Sequence, residues 1–217
     1  ERGSMGDYLV GMELLLIRHG LPVRRELVDG PADPELSESG LAQAERLADY
    51  LATESLDAVY ASPLRRAHQT AMPVAGRRGL SITLVDGVAE WDRNSNEYVP
   101  VEELKATNDP RYAAMMSGEW TAAEETREEF HHRVVTALEA LIDAHPGQRI
   151  AVSCHGGVIN SYVGHVLGLP VGQHFFYPNY TSIHRIVASR RGHREVVTLN
   201  ETAHLRGSGL PMGLVQS

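Results

Sequence analysis

Leu14-Leu15-Leu16-Ile17-Arg18-His19-Gly20 decides how the rest of the chain is read. Four apolar residues in a row suit a central strand covered on both faces. Such a strand delivers whatever follows it to the crevice at its carboxyl end, where open α/β sheets bind ligands. Here a fixed cation follows, then a group able to act as nucleophile or base. Next comes a residue that lets the backbone turn tightly or approach a ligand.

A second stretch ends the same way. Arg149-Ile150-Ala151-Val152-Ser153 reads as a buried strand running into Cys154-His155-Gly156-Gly157. If the two strands are parallel neighbours, His19 and His155 stand side by side at one sheet edge. Asp57 to Ser62 is a third, shorter strand, and Ser62-Pro63-Leu64-Arg65-Arg66-Ala67-His68-Gln69-Thr70-Ala71 follows it. Pro63 suits an early helical position, and free N–H groups at a helix start favour anions. The predicted pocket holds Arg18, Arg66 and two histidines. A phosphoryl group is its natural occupant, because guanidinium forks match phosphoryl oxygens.

The surrounding pattern predicts an α/β fold: a three-layer α/β/α sandwich with a mainly parallel sheet and an antiparallel edge strand. Leu41, Ala44, Leu47, Ala48 and Leu51 lie at helical spacing after candidate caps Ser37 and Ser39. Leu64 to Ala75 continues as helix, with Pro73 kinking it or marking its exit. Leu80 to Val85 is a further strand. The longest helix spans Thr121 to Ala144, with Phe130, Val134, Ala137, Leu138 and Leu141 on one face. A helix after Gly157 reaches about Leu169, and strands at 181–188 and 195–199 flank a turn at Arg191-Gly192. Residues 1–12 are expected to be a leader, partly an expression scar with a native start near Met5. Residues 13–202 form one domain with a lid insertion at about 86–121, and 203–217 form a flexible tail.

The 217 residues are 42% hydrophobic, enough for one sizeable core. A net charge of −8 disfavours nucleic acid and anionic membranes as partners. The single cysteine, Cys154, leaves no internal disulfide and fits a reducing compartment, so a cytoplasmic location is expected. The uncharged run Gly156 to His174 contains Asn160, Ser161, His165 and several glycines. It falls short of the ~20 mostly apolar residues of a spanning helix.

Taken in order, four blocks resemble the histidine phosphatase superfamily, the phosphoglycerate-mutase-like fold, from about Leu14 to Leu199. They are Leu16 to Gly20, Leu36-Ser37-Glu38-Ser39-Gly40, Ser62 to Ala71, and Val152 to Gly157. The resemblance implies that His19 is the nucleophile that becomes phosphohistidine. Arg18, Arg66 and His155 would hold the phosphoryl oxygens. Of the adjacent pair Arg65 and Arg66, the family pattern selects the arginine directly before the alanine. Glu90 is the best match to the family's acid–base glutamate. The block Val88-Ala89-Glu90-Trp91-Asp92 departs from the common pattern, so Asp92 and Glu97 stand as substitutes. Leu21-Pro22-Val23-Arg24-Arg25 replaces the residues that usually follow Arg-His-Gly.

The chemistry is coherent on its own terms. An imidazole attacks phosphorus only when neutral, and two nearby arginines disfavour the imidazolium. The function expected is a metal-independent phosphomonoesterase acting on a small-molecule phosphate ester, with no cofactor. The alternatives are phosphoglycerate-mutase-type transfer and a phosphate-binding interaction module with little turnover. The middle region, Glu90 to Tyr98 and Glu102 to Lys105, is acidic and polar, which favours hydrolysis over grip on a glycerate. A homodimer is left open. His131 and His132 read as exposed, His68 as pocket or packing, Cys154 as buried and inert, and Asp33-Pro34-Glu35 as turn chemistry.

Overall fold

The computed structural model describes residues 11–117 and 125–214. Its sheet is built around β1 (Met12–Arg18), which pairs in parallel with β6 (Arg149–Cys154) and antiparallel with β7 (Ile183–Ala188). Beyond β6 lie β3 (Ala58–Ala61) and β4 (Ile82–Leu84), both parallel. Beyond β7 lies β8 (Arg194–Glu201), antiparallel to it. The order β4-β3-β6-β1-β7-β8 is a mainly parallel sheet with an antiparallel pair at one edge.

Alternate side chains of β1 serve two cores, as strand geometry requires. Leu14 and Leu16 pack with Val152 of β6, with Val134 and Leu138 of α5 (Arg127–Ala144), and with Val158 and Ile159 of α6 (Gly156–Leu167). Leu15 and Ile17 pack with Leu47 and Leu51 of α1 (Glu38–Leu51) and Val74 of α2 (Arg65–Gly76). Helices therefore cover both faces. Each such fully buried aliphatic side chain contributes about 1.5–3 kcal/mol. In α1, Ser37 Oγ accepts from Gly40 N, while α5 opens with a reciprocal Thr126–Glu129 capping box. α2 runs past Pro73 to Gly76, so the proline is neither exit nor stop; burial of Val74 and Ala75 holds the last turn.

Residues 86–117 fold back over the carboxyl ends of the strands. β5 (Glu97–Tyr98) pairs with β2 (Arg25–Glu26), tying the loop after Gly20 to this region. Two short helices follow, α3 (Val101–Ala106) and α4 (Pro110–Ser117). Arg24 pairs with Glu26 and Glu103, and Arg25 with Glu35 at 2.8 Å, so both serve this ribbon. Asp33 is more than turn chemistry: its carboxylate accepts from Arg65 N at 2.9 Å, at the start of α2.

Two boundaries need correction. β1 begins at Met12, inside the expected leader; residues 1–10 and 215–217 lie outside the described residues. The described part of the expected flexible tail is packed. Residues 203–205 form a helical turn, and Tyr180 N donates to Met212 O at 2.9 Å. Gln43 Nε2 donates to Pro211 O, and Met212 is buried. Glycines and prolines suggested mobility there, but backbone carbonyls supply the partners that buried donors need.

Candidate active site

The register of the central strands assembles the site. Arg18 lies opposite Cys154, and His19 N donates to Cys154 O at 3.0 Å. The residues that follow, His19 and His155, have ring centroids 5.2 Å apart. β3 ends at Ala61, Ser62 N donates to Ser153 O at 2.9 Å, and the first turn of α2 then carries Arg66 to the same edge. Arg18, His19, Arg66 and Glu90 line one cavity of about 440 Å³. His155 lies fully buried beside it.

His19 is held in one tautomer. Its Nδ1 lies 2.7 Å from Gly20 O, an atom that only accepts, so Nδ1 carries the proton. Gly20 N is held in turn by Thr70 Oγ1 at 3.0 Å, and that hydroxyl donates to Arg66 O. Burial and the charges of Arg66 and Arg18 push the His19 pKa well below the usual histidine value. The ring is therefore neutral at pH 7, with the Nε2 lone pair uncommitted. His155 is likewise held neutral by burial and by Arg66, and its Nε2 meets Ser62 Oγ at 2.8 Å.

The two arginines are almost fully enclosed, Arg66 at 1% and Arg18 at 7% exposure. Aromatic faces replace water around them. Arg18 stacks on Tyr180 (4.2 Å) and Tyr177 (4.9 Å), and Arg66 on Tyr98 (4.7 Å). Arg18 Nη1 donates to Pro178 O at 2.7 Å, and Arg66 Nη2 to Asp92 at 3.1 Å. The Nε of each is buried with no partner in the protein. A buried cation with unmet donors is costly unless an anion meets it.

Glu90 reaches the start of α6, where Gly157 N donates to Oε2 at 2.9 Å; Trp91 N donates to Oε1 at 3.0 Å. A Cβ on Gly157 would fall 2.4 Å from Oε1, so this approach requires glycine. Burial, together with Asp92, raises the Glu90 pKa against these backbone donors. The substitutes considered in the sequence have other partners: Asp92 pairs with Arg66, and Glu97 with Arg111 at 2.7 Å.

Several contributors went unread in the sequence. Ser62, Thr70 and Gly157 sit inside the quoted blocks, so their positions were visible but not their partners. Tyr177 and Tyr180 had no local signal, being far from Arg18 in the chain. Tyr98, within the irregular middle region, faces Arg66. His131, expected to be exposed, is half-buried, lines the cavity and meets Ser161 Oγ at 3.0 Å. Cys154 is fully buried, and burial pushes its thiol pKa up. Among the described residues no three His, Cys, Asp or Glu side chains converge as metal ligands, and no helix is long and apolar enough to cross a membrane.

The model of the histidine phosphatase superfamily (branch 1) matches residues 14–202. The chain is a member of that family of enzymes. Phosphoserine phosphatase 1 of Hydrogenobacter thermophilus is 27% identical over 207 residues, spanning 89% of this chain and 94% of that one. Phosphoglycerate mutase-like protein 4 of Arabidopsis thaliana is 31% identical over 157 residues, 69% of this chain and 68% of that one. A solved structure of a phosphoserine phosphatase mutant from Entamoeba histolytica, in complex with phosphoserine, is similar with a TM-score of 0.70 at 27% identity. It covers 89% of this chain and 99% of that one.

Proposed function

We propose that this chain is a phosphomonoesterase that works without a metal ion, through a phosphohistidine on His19. The observation that carries the reading is the neutral His19 ring, its Nδ1–H fixed on Gly20 O, between two buried guanidinium groups that retain unmet donors. Arg18 and Arg66 bind the phosphoryl oxygens and supply the positive charge that a metal would otherwise bring. His19 Nε2 attacks phosphorus as the P–O ester bond breaks, and the protonated Glu90 gives its proton to the leaving oxygen. Water then attacks the phosphohistidine, Glu90 takes that water's proton, and the N–P bond breaks to release phosphate. His155, neutral and tied to Ser62, lies beside the transferring group as a hydrogen-bonding partner for its oxygens.

Hydrolysis is favoured over mutase transfer because the arginines of the 86–117 region are engaged. Arg93 pairs with Asp86 at 3.0 Å, and Arg111 with Glu97 and Asp109. A glycerate carboxylate would have to displace those pairs. The test is phosphate release from a panel of monoesters with chelator present, for wild type and His19→Ala. We expect chelator-resistant release by wild type and none by the variant. Release that chelator abolishes would overturn the mechanism, and release that survives His19→Ala would remove the nucleophile.

A further inference from the structure

The cavity is far larger than a phosphoryl group needs. Its volume of about 440 Å³ lies in the ~300–1,000 Å³ range of pockets that enclose drug-sized ligands. The charged groups that meet phosphate occupy one end. The remainder is an arm walled by Trp91, Phe130, Leu169 and Phe176. Trp91 and Phe130 have centroids 6.3 Å apart, and Trp91 Nε1 donates to Glu125 O at 2.8 Å, so the indole is fixed. Asn160 holds the other wall: its amide donates to Gly156 O (3.1 Å) and Phe176 O (3.2 Å).

The charge of Arg111 is compensated by Glu97 and Asp109, both at 2.7 Å, and the Arg127 guanidinium lies over the Trp91 ring at 5.8 Å. The polar edge is instead His131, bonded to Ser161, with the His165 ring 5.7 Å away. Burial and that second imidazole lower the His131 pKa.

We propose that this arm selects esters whose leaving group is a bulky, uncharged ring, standing between the Trp91–Phe130 wall and the Phe176 wall with its polar groups toward His131 and Ser161. The inference deepens the phosphatase reading and rests on it. Gly164 supplies the means of testing it. It lines the arm, and a Cβ there meets only Leu169 Cβ and Phe175 Cε1, both at 3.9 Å, so a methyl fits and a longer side chain takes up arm volume.

The experiment compares kcat/KM for phenyl phosphate, 1-naphthyl phosphate and O-phosphoserine. The two aryl esters release phenols of similar acidity, so their ratio reports room rather than leaving-group chemistry. In wild type the naphthyl ester is expected to exceed O-phosphoserine. In Gly164→Leu the naphthyl-to-phenyl ratio falls about tenfold. If that variant fails to fold, Gly164→Ala carries the test, with a fall of about twofold expected. An unchanged ratio in the folded variant, or a wild-type preference for O-phosphoserine, overturns the arm's selectivity and leaves the hydrolase standing. No release from any ester overturns both.

Discussion

Glu90 is pulled in two directions. Burial and Asp92 raise its pKa, while the N–H groups of Gly157 and Trp91 favour the carboxylate. The raised pKa favours the protonated form that the proposed general-acid role requires. Glu90→Gln is expected to lower kcat on alkyl phosphates by about 10²–10⁴, and far less on p-nitrophenyl phosphate, whose leaving group needs no proton. The wild-type pH profile is expected to fall on the alkaline side as Glu90 loses its proton, and the amide variant is expected to lack that fall. Equal losses on both esters would make Glu90 structural. Sequence legibility ends at this scale. His19, Arg18, Arg66 and His155 were readable because each abuts a strand end or helix start. The Glu90 assignment rested on an irregular loop, and what singles it out from Asp92 is a partner 67 residues away.

α1 approaches the loop after the nucleophile backbone to backbone. A Cβ on Gly40 would lie 2.1 Å from Leu21 O, and one on Gly20 would lie 2.7 Å from Gly40 O. The helix cannot yield alone, because Ser37 Oγ also donates to Leu21 O at 2.9 Å. Gly40→Ala is therefore expected to destabilise by about 1–3 kcal/mol or more through overpacking, and to lower activity by moving the His19–Gly20 peptide. Ser37→Ala removes a cap and costs about 1 kcal/mol. Urea unfolding of both variants checks the order; an alanine at 40 that costs no more than the lost cap would refute the close approach. The long helices were legible from their periodicity and the central strands from their apolar runs. The β2–β5 ribbon was not, because two-residue strands carry no period, and its pairing depends on a loop 71 residues downstream, from Glu26 to Glu97.

At the scale of the molecule, stability depends on histidines buried in the neutral form. Besides His19 and His155, burial and Arg18 push His184 down to about 3, and burial and Arg46 push His204 to about 4. A lowered folded-state pKa contributes stability that is present above the unfolded value near 6.5 and lost as pH falls through the folded one. For His184 and His204 together the loss between pH 7 and pH 5 is about 4 kcal/mol, a large share of a typical ~5–15 kcal/mol. Glu90 works the other way, since its raised pKa adds stability as pH falls. Urea midpoints at pH 7 and pH 5 measure the balance, and a midpoint that does not drop at pH 5 would refute it. Vanadate, bound between Arg18 and Arg66, is expected to raise the unfolding free energy by about 2.7 kcal/mol at a hundred times its Kd.

The sequence by itself determined the sheet-and-helix order and the chemistry delivered at the strand ends. Apolar runs, caps and turn residues act locally, and a strand must present whatever follows its last residue. The tertiary structure alone decided how that chemistry is surrounded. Tyr177 and Tyr180 enclose Arg18, Gly157 receives Glu90, and residues 206–214 fold back beside them. Those contacts join residues with no common period or short spacing, and burial fixes them only once both cores have closed on the sheet.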